Sequence, residues 1–309
     1  MMESLTTQQY GDVDFPEVSV LLPVRNGGAG FVEAIHSILN QTFSNFELLI
    51  IDDGSSDASV SIARNINDPR IHVFVDGMSR GLATRLNEGI QHARGAYIAR
   101  MDADDVSFCD RFERQLVYLR SHPEIDLLAT RAVVFRGVDD LVGLLPFRAA
   151  HEEICAALWR GIPMPHPTWM GKTAWFRKHG YRIPETIRAE DQELLLRAAP
   201  ESRYACLEQV LLGYRQGSFL LGKVWLARRQ LLRAQLGLFY QRRQWSNWSF
   251  ALGIFTAKLL IDVLSALPGC DKLFFLRMSG CVPKEVEQTL RKTLSPGNSI
   301  SPPNFKTKI

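Results

Sequence analysis

The sequence predicts an α/β fold: a mostly parallel central sheet flanked by helices, followed by a helical C-terminal extension. Three observations carry that expectation. Over residues 18–101, short β-branched and aliphatic runs alternate with segments of helical periodicity, the pattern of βαβ units. The apolar runs stop at polar clusters, residues 23–26, 52–54 and 102–105, and parallel sheets bind ligands at that edge. From Gly222 onward the pattern is almost wholly helical.

The elements follow in order. Residues 18–22 form a strand ended by Pro23, and Phe31, Ile35, Ile38 and Leu39 then recur at helical spacing. Residues 48–51 are a second strand, stopped by Asp52-Asp53-Gly54. Ser55 or Ser56 is expected to cap the helix carrying Val60 and Ala63. A third strand (71–75), a third helix (82–93) and a fourth strand (97–101) complete the alternation. Beyond it come an amphipathic helix at 111–119, a strand at 127–135, a short helix at 152–159 and a Pro-rich loop at 161–168. A helix at 190–199 opens with acidic residues, which suit the positive end of its dipole. Residues 295–309, rich in Pro, Ser and Asn, read as disordered.

Composition narrows the function classes. A hydrophobic fraction of 46% in 309 residues excludes wholesale disorder, collagen-like repeats and a coiled coil as the whole structure. The net charge of +3 is a sum of unequal parts. Residues 1–217 hold 22 Lys+Arg against 29 Asp+Glu, whereas residues 218–292 hold 12 against 4. An acidic module is thus joined to a basic one suited to an anionic partner. Five widely spaced cysteines without a C-x-x-C indicate neither a disulfide framework nor a zinc site and point to a reduced, cytoplasmic setting. Residues 1–17 are polar and acidic, unlike a secretory signal.

Several clusters can carry chemistry. Asp102-Ala103-Asp104-Asp105 directly follows an apolar strand, and alternate carboxylates there can hold Mg²⁺ or Mn²⁺ together with substrate phosphate. The plainer reading is a solvated turn capping the next helix. Asp53, after the second strand, can accept a hydrogen bond from a base or ribose, though D-G-S-S strings are also ordinary Asx turns. Asn26-Gly27-Gly28-Ala29-Gly30 lacks G-x-G-x-x-G spacing, because Glu33 stands where the third glycine belongs. Arg80 can pair with a diphosphate or be a surface arginine at a helix start. Glu190-Asp191 at a helix mouth can supply a general base or merely complement the dipole. His166 and Trp169 can meet a sugar acceptor or form a buried aromatic plug.

Together these strings resemble family 2 glycosyltransferases of the GT-A fold. The run Val18-Ser-Val-Leu-Leu-Pro-Val-Arg-Asn26 is similar to their opening strand, and Ile50-Ile-Asp-Asp-Gly-Ser-Ser-Asp57 to their second motif. Residues 81–87 and then Gly95-Ala-Tyr-Ile-Ala-Arg-Met-Asp-Ala-Asp-Asp105 resemble the approach to their metal-binding D-x-D. Ala189-Glu-Asp-Gln-Glu-Leu-Leu-Leu-Arg197 resembles their base-bearing E-D helix, and Tyr214-Arg215 a frequent closing pair. The resemblance spans residues 18–217 and implies a role for each position. Pro23, Val24 and Asn26 would line the nucleotide pocket, Asp53 would meet the base, and Arg80 would approach the diphosphate. Asp102 would hold ribose or metal, Asp104 would ligate Mg²⁺ or Mn²⁺, and Asp191 would be the base. Beside these, Glu190 at the helix mouth and His166 and Trp169 in the Pro-rich loop are the acceptor candidates by position and chemistry. One displacement would invert the anomeric centre. Processive members carry Q-x-x-R-W; here Gln230-Leu-Leu-Arg233 is followed by Ala234, which implies transfer of a single sugar.

The basic segment interleaves Arg228, Arg229, Arg233, Arg242 and Arg243 with Trp225, Leu231, Leu232, Leu236, Leu238, Phe239 and Tyr240, as membrane-surface helices do. No nucleic-acid motif accompanies that charge. Residues 248–267 have the length of a bilayer span. Lys258 and Asp262, spaced to pair on one helix face, favour an interfacial or re-entrant helix over a full span or a core helix. The expected organisation is a tail (1–17), a catalytic domain (18–217), a basic membrane-associating segment (218–292) and a second tail (293–309). The expected activity is metal-dependent transfer from a nucleoside-diphosphate sugar, of UDP type, to a glycan or lipid-linked acceptor in cell-surface polysaccharide synthesis at the cytoplasmic face of the membrane. Two rivals remain. A sugar nucleotidyltransferase would need a Gly/Lys-rich phosphate loop, which Arg25-Asn26-Gly27-Gly28 fits poorly; an inactive membrane-associated binding module would not need Asp104 and Asp191.

Overall fold

The computed structural model describes residues 15–183, 188–217, 220–265 and 281–295. Strands β1 (Val18–Val24), β2 (Phe46–Asp52), β3 (Ile71–Phe74) and β4 (Tyr97–Arg100) pair in parallel in the order β3-β2-β1-β4. Every residue of β1 and β2 is buried, which is why their sequences run apolar without alternation. Helices α1 (Gly28–Leu39), α2 (Ser59–Asn65) and α3 (Leu82–His92) make the crossovers. Val20, Leu22 and Val24 pack with Ile35 on one face of the sheet, while Leu21 and Ile51 pack with Leu86 on the other.

The rest of the sheet is mixed. After β5 (Val106–Ser107) and α4 (Arg111–Ser121) come β6 (Leu127–Gly137), β7 (Asp140–Leu144), α5 (His151–Cys155), β8 (Met170–Lys172), α6 (Thr173–His179), α7 (Glu190–Ala198) and β9 (Tyr204–Arg215). The short β8 is wedged antiparallel between β4 and β6, and β6 pairs in parallel with β9. A Cβ at Gly171 would stand 2.6 Å from the Asp126 carbonyl oxygen, so only glycine lets β8 into that slot. Strands of two and three residues such as β5 and β8 leave no periodicity to read, and β7, β9 and α6 were likewise not predicted from the sequence. The helix expected over 152–159 ends at Cys155.

The C-terminal helices α8 (Leu221–Gln241) and α9 (Trp245–Ser265) form a hairpin braced on α7. Gln230 Oε1 accepts from the Arg188 N–H at 2.7 Å, and the Arg242 guanidinium donates to the carbonyls of Leu196 and Arg197. Asp262 is held by Arg228 of α8, whereas Lys258 donates to the Arg160 carbonyl at 2.9 Å. The pairing expected between Lys258 and Asp262 is therefore replaced by one between helices. Two of the five arginines read as membrane-facing, Arg228 and Arg242, are committed to internal contacts. Helix α10 (Lys284–Leu294) returns to the sheet, where the fully buried Leu290 packs with Val106, Val133 and Phe135 and Arg291 pairs with Asp139 at 2.5 Å. The last part of the basic segment thus packs on the mixed sheet. Residues 293 and 294 close a helix rather than begin a tail. Residues 1–14 and 296–309, read as tails, lie outside the described residues.

Candidate functional site

The site begins where β1, β2 and β4 end side by side. Asn26 takes a left-handed φ of 53°, which asparagine tolerates better than most residues. Its Oδ1 accepts from the N–H groups of Ser56 (2.8 Å) and Asp57 (3.3 Å), and its own N–H donates to Ser55 Oγ (2.9 Å). Ser55 and Ser56 are spent on tying two strand ends together, so α2 starts only at Ser59 and neither serine caps it. Asp53 Oδ1 accepts from the N–H groups of Arg80 (2.6 Å) and Gly81 (2.9 Å) and from Arg85 Nε (3.1 Å). The loop 78–81 is thereby pinned over the end of β2. Asp53 Oδ2 meets only the Ser79 hydroxyl, at 3.3 Å among the described residues, and keeps room for another donor. Arg80 stands at the rim, paired with Asp76 at 3.1 Å.

The acidic turn is built over two buried arginines. Arg100, 2% exposed, ion-pairs with Asp102 through Nη2, while its Nε and Nη1 have no partner among the described residues. Arg111 donates from Nη2 to the Arg100 carbonyl at 2.8 Å, and burial brings its pKa down to about 9. Asp105 is fully buried; Oδ1 accepts the Arg215 N–H at 2.8 Å and Oδ2 has no partner among the described residues. Arg215 Nε grips the Asp104 carbonyl at 2.8 Å, so the closing Tyr214-Arg215 holds the turn from β9. A Cβ at Gly30 would lie 3.4 Å from Asp104 Cα, which places the positive N-terminal end of α1 against the same turn. Burial, followed by the neighbouring Asp102, pushes the Asp104 carboxyl above the usual range; Asp105 is raised further by burial, Asp102 and Asp104. Three carboxyls so crowded, one with an orphaned buried oxygen, fit a hard divalent cation. Among the described residues no three His, Cys, Asp or Glu side chains enclose a metal unaided, so donor phosphate oxygens would have to complete the set.

A second acidic pair opens α7. Ala189 precedes it at a φ of 67°, a left-handed conformation that costs an L-residue about 1–2 kcal/mol. Gln192 clamps the helix start, exchanging hydrogen bonds of 2.8 and 3.1 Å with the Ile162 main chain. Burial, then the adjacent Asp191, raises the Glu190 pKa to about 7, and burial raises Asp191. Arg100 acts electrostatically on Asp102, Asp105 and Glu190 alike. A carboxyl raised in the folded state favours folding at low pH, and that contribution is lost as pH rises toward the folded value. Stability in urea should therefore fall between about pH 4.5 and pH 7. Glu190→Gln should flatten that decline.

The aromatic pair is not an acceptor platform. Trp169 is fully buried, with its indole N–H donating to the Met164 carbonyl at 3.2 Å, so it has no face for a sugar. His166 is 8% exposed and bonds the Tyr181 hydroxyl at 2.7 Å; burial, then Arg100, keeps it neutral. Asn87 in turn fixes Tyr181 by two main-chain hydrogen bonds. These residues wall the site behind the carboxylates. Arg100 and Arg111 were not anticipated, because nothing in their local spacing distinguishes a buried arginine from a surface one.

The family model for Glycosyl transferase family 2 matches residues 19–180. EpsE of Bacillus subtilis (strain 168), which carries a glycosyltransferase name, is 34% identical over 210 residues, covering 66% of this chain and 74% of EpsE. Among solved structures, residues 1–349 of S. aureus TarS in complex with UDP superpose with a TM-score of 0.57 at 17% identity, covering 90% of both chains. The mannosyltransferase PcManGT from Pyrobaculum calidifontis, in complex with GDP-Man and Mn²⁺, also gives 0.57, at 15% identity and 90% and 86% coverage. The chain belongs to glycosyl transferase family 2, and its fold is that of these glycosyltransferases.

Proposed function

We propose that this family 2 transferase moves one sugar from a nucleoside-diphosphate sugar, of UDP type, to a hydroxyl of a glycan or lipid-linked acceptor, with inversion. The observation that carries the reading is the meeting of two acidic groups around one buried cation. Asp102, Asp104 and Asp105 end one strand, Glu190 and Asp191 open one helix, and Arg100 acts on both. Solved relatives of this fold bind UDP, UDP-GlcNAc or GDP-Man, which supports a nucleotide-sugar donor. Pro23, Val24 and Asn26 would border the base, with Asp53 Oδ2 accepting from it. Asp102 and Asp104 would hold Mg²⁺ or Mn²⁺, which when bound offsets charge on the departing diphosphate. Asp191, its carboxyl raised by burial, would take the proton of the acceptor hydroxyl as that oxygen attacks the anomeric carbon. Glu190 beside it would keep the acceptor side of the site acidic.

Hydrolysis of a panel of nucleotide sugars, with and without Mn²⁺, tests the reading. One donor should turn over in a metal-dependent way; turnover of none sinks the proposal. The proposed place of work is the cytoplasmic face of a membrane, in surface-polysaccharide synthesis. An 18-residue stretch of helix α9 has a mean hydropathy of 1.5 with only 17% of it buried, and Phe250, Leu260, Ile261, Val263 and Leu264 are exposed. Such a face beside arginines suits an anionic interface. The protein should co-sediment with phosphatidylglycerol vesicles and not with phosphatidylcholine ones; equal or absent binding to both removes the membrane contact.

A further inference from the structure

The α8–α9 hairpin has a second, open side. There α8 contributes Trp225, Leu232 and Leu236 and α9 contributes Phe255 and Leu259 to an apolar groove, with Arg229 and Arg233 along its edge. The groove exists because the opposite side of the hairpin is used internally. Gln235 and Phe239 are buried toward the catalytic domain, and Arg228 with Asp262 joins the two helices. Arg229 and Arg233 are exposed and one helical turn apart, and the Arg229 guanidinium lies 4.7 Å from the Trp225 ring centre. Neither is ion-paired with a carboxylate among the described residues, and Asp262 is the only acidic residue in α8 and α9. Two forked cations beside an aliphatic floor complement an apolar chain with an anionic head, and a phosphate or diphosphate offers oxygens to both.

We propose that this groove holds the carrier of a lipid-linked acceptor, its aliphatic chain along Leu232, Leu236 and Leu259 and its phosphate or diphosphate on Arg229 and Arg233. The inference rests on the transferase reading and names the acceptor class for it. Position favours a carrier over a bulk lipid. Arg229 adjoins Gln230, which bonds the Arg188 main chain, and Arg188 lies three residues before Asp191. The helix that would hold the carrier therefore also braces the loop that presents the base. That link through α8 is of use to a carried acceptor and is not needed of a bilayer surface.

Calorimetric titration of the full chain, with the donor site saturated by the nucleoside diphosphate it prefers, tests this. The probe is farnesyl diphosphate, with farnesol, inorganic diphosphate and phosphatidylglycerol vesicles as comparisons. Farnesyl diphosphate should bind, and Arg229→Gln/Arg233→Gln should weaken it by about tenfold or more, the scale of losing charge-assisted hydrogen bonds. Leu259→Ser should weaken it too, while nucleotide affinity stays unchanged in both variants. Equal affinity for inorganic diphosphate or for farnesol overturns the proposal, as does farnesyl diphosphate binding that neither variant alters. Vesicle binding that depends on the arginines, without farnesyl diphosphate binding, assigns the groove to the bilayer and also overturns it. Failure of the transferase reading would look different: no nucleotide sugar would turn over with or without Mn²⁺, whatever the groove binds.

Discussion

Asp191→Asn should lower turnover of the donor by about 10²–10⁴-fold, the usual contribution of a positioned general base, while leaving the affinity for nucleoside diphosphate unchanged. The substitution is nearly isosteric, and Asp191 has its hydrogen-bonded neighbour in Gln192, whose clamp on Ile162 does not involve the Asp191 carboxyl. Donor contacts are expected at the ends of β1, β2 and β4, so binding and catalysis should separate. Stability supplies an independent check. Burial raises the Asp191 carboxyl, and Asp191 is the second cause, after burial, of the raised Glu190. The folded protein thus carries an unfavourable negative charge at high pH that an amide would not. The variant should be more stable than wild type at pH 8 and equal to it below about pH 3, where both carboxyls are protonated folded or unfolded. Lost activity with gained stability is what a functional carboxylate at a strained helix start should give. Full turnover in Asp191→Asn would place the base elsewhere.

The parallel half of the sheet was legible because strands buried on both faces are written as unbroken apolar runs. Residues 18–22 and 48–51 fall inside β1 and β2. Of the other half only β6 was readable, as the strand at 127–135, and the rest hid for a physical reason. β8 has three residues, and its place between β4 and β6 depends on Gly171, whose side-chain absence has no periodic signature. Candidate positions could be picked out where an acidic residue follows a strand, as at Asp53 after β2 and Asp104 after β4, and the structure keeps both at those strand ends. They were misread where burial decides the role. An exposed indole and a core indole are spelled alike, and Trp169 proved to be core. Arg100 and Arg111 hid for the same reason: only the fold places Arg100 between two acidic groups with two of its nitrogens unpartnered among the described residues.

Asp104→Asn should abolish the dependence on Mn²⁺, leaving a low rate that is the same with and without the ion. A shortfall of about 10²-fold or more from the metal-stimulated wild type corresponds to roughly 3 kcal/mol of transition-state stabilisation, within what a bound cation supplies. The choice of Asp104 over its neighbours follows from their contacts. Asp105 carries the Arg215 main-chain N–H on Oδ1 in a fully buried position, so removing its charge would loosen the junction with β9 as well. Asp102 is the ion-pair partner of Arg100, and Asp102→Asn would strand a buried guanidinium. Asp104 is tied through its main-chain carbonyl, to Arg215 Nε, and that tie survives the substitution. Its carboxyl is raised by burial and by Asp102, so an amide relieves crowding instead of creating it. The variant should therefore unfold no earlier than wild type in urea at pH 8, and added Mn²⁺, which stabilises a protein that binds it, should no longer raise its midpoint. Retained Mn²⁺ stimulation in Asp104→Asn would move the cation to Asp102 and Asp105. A rate loss accompanied by unfolding would instead make Asp104 a residue of the fold.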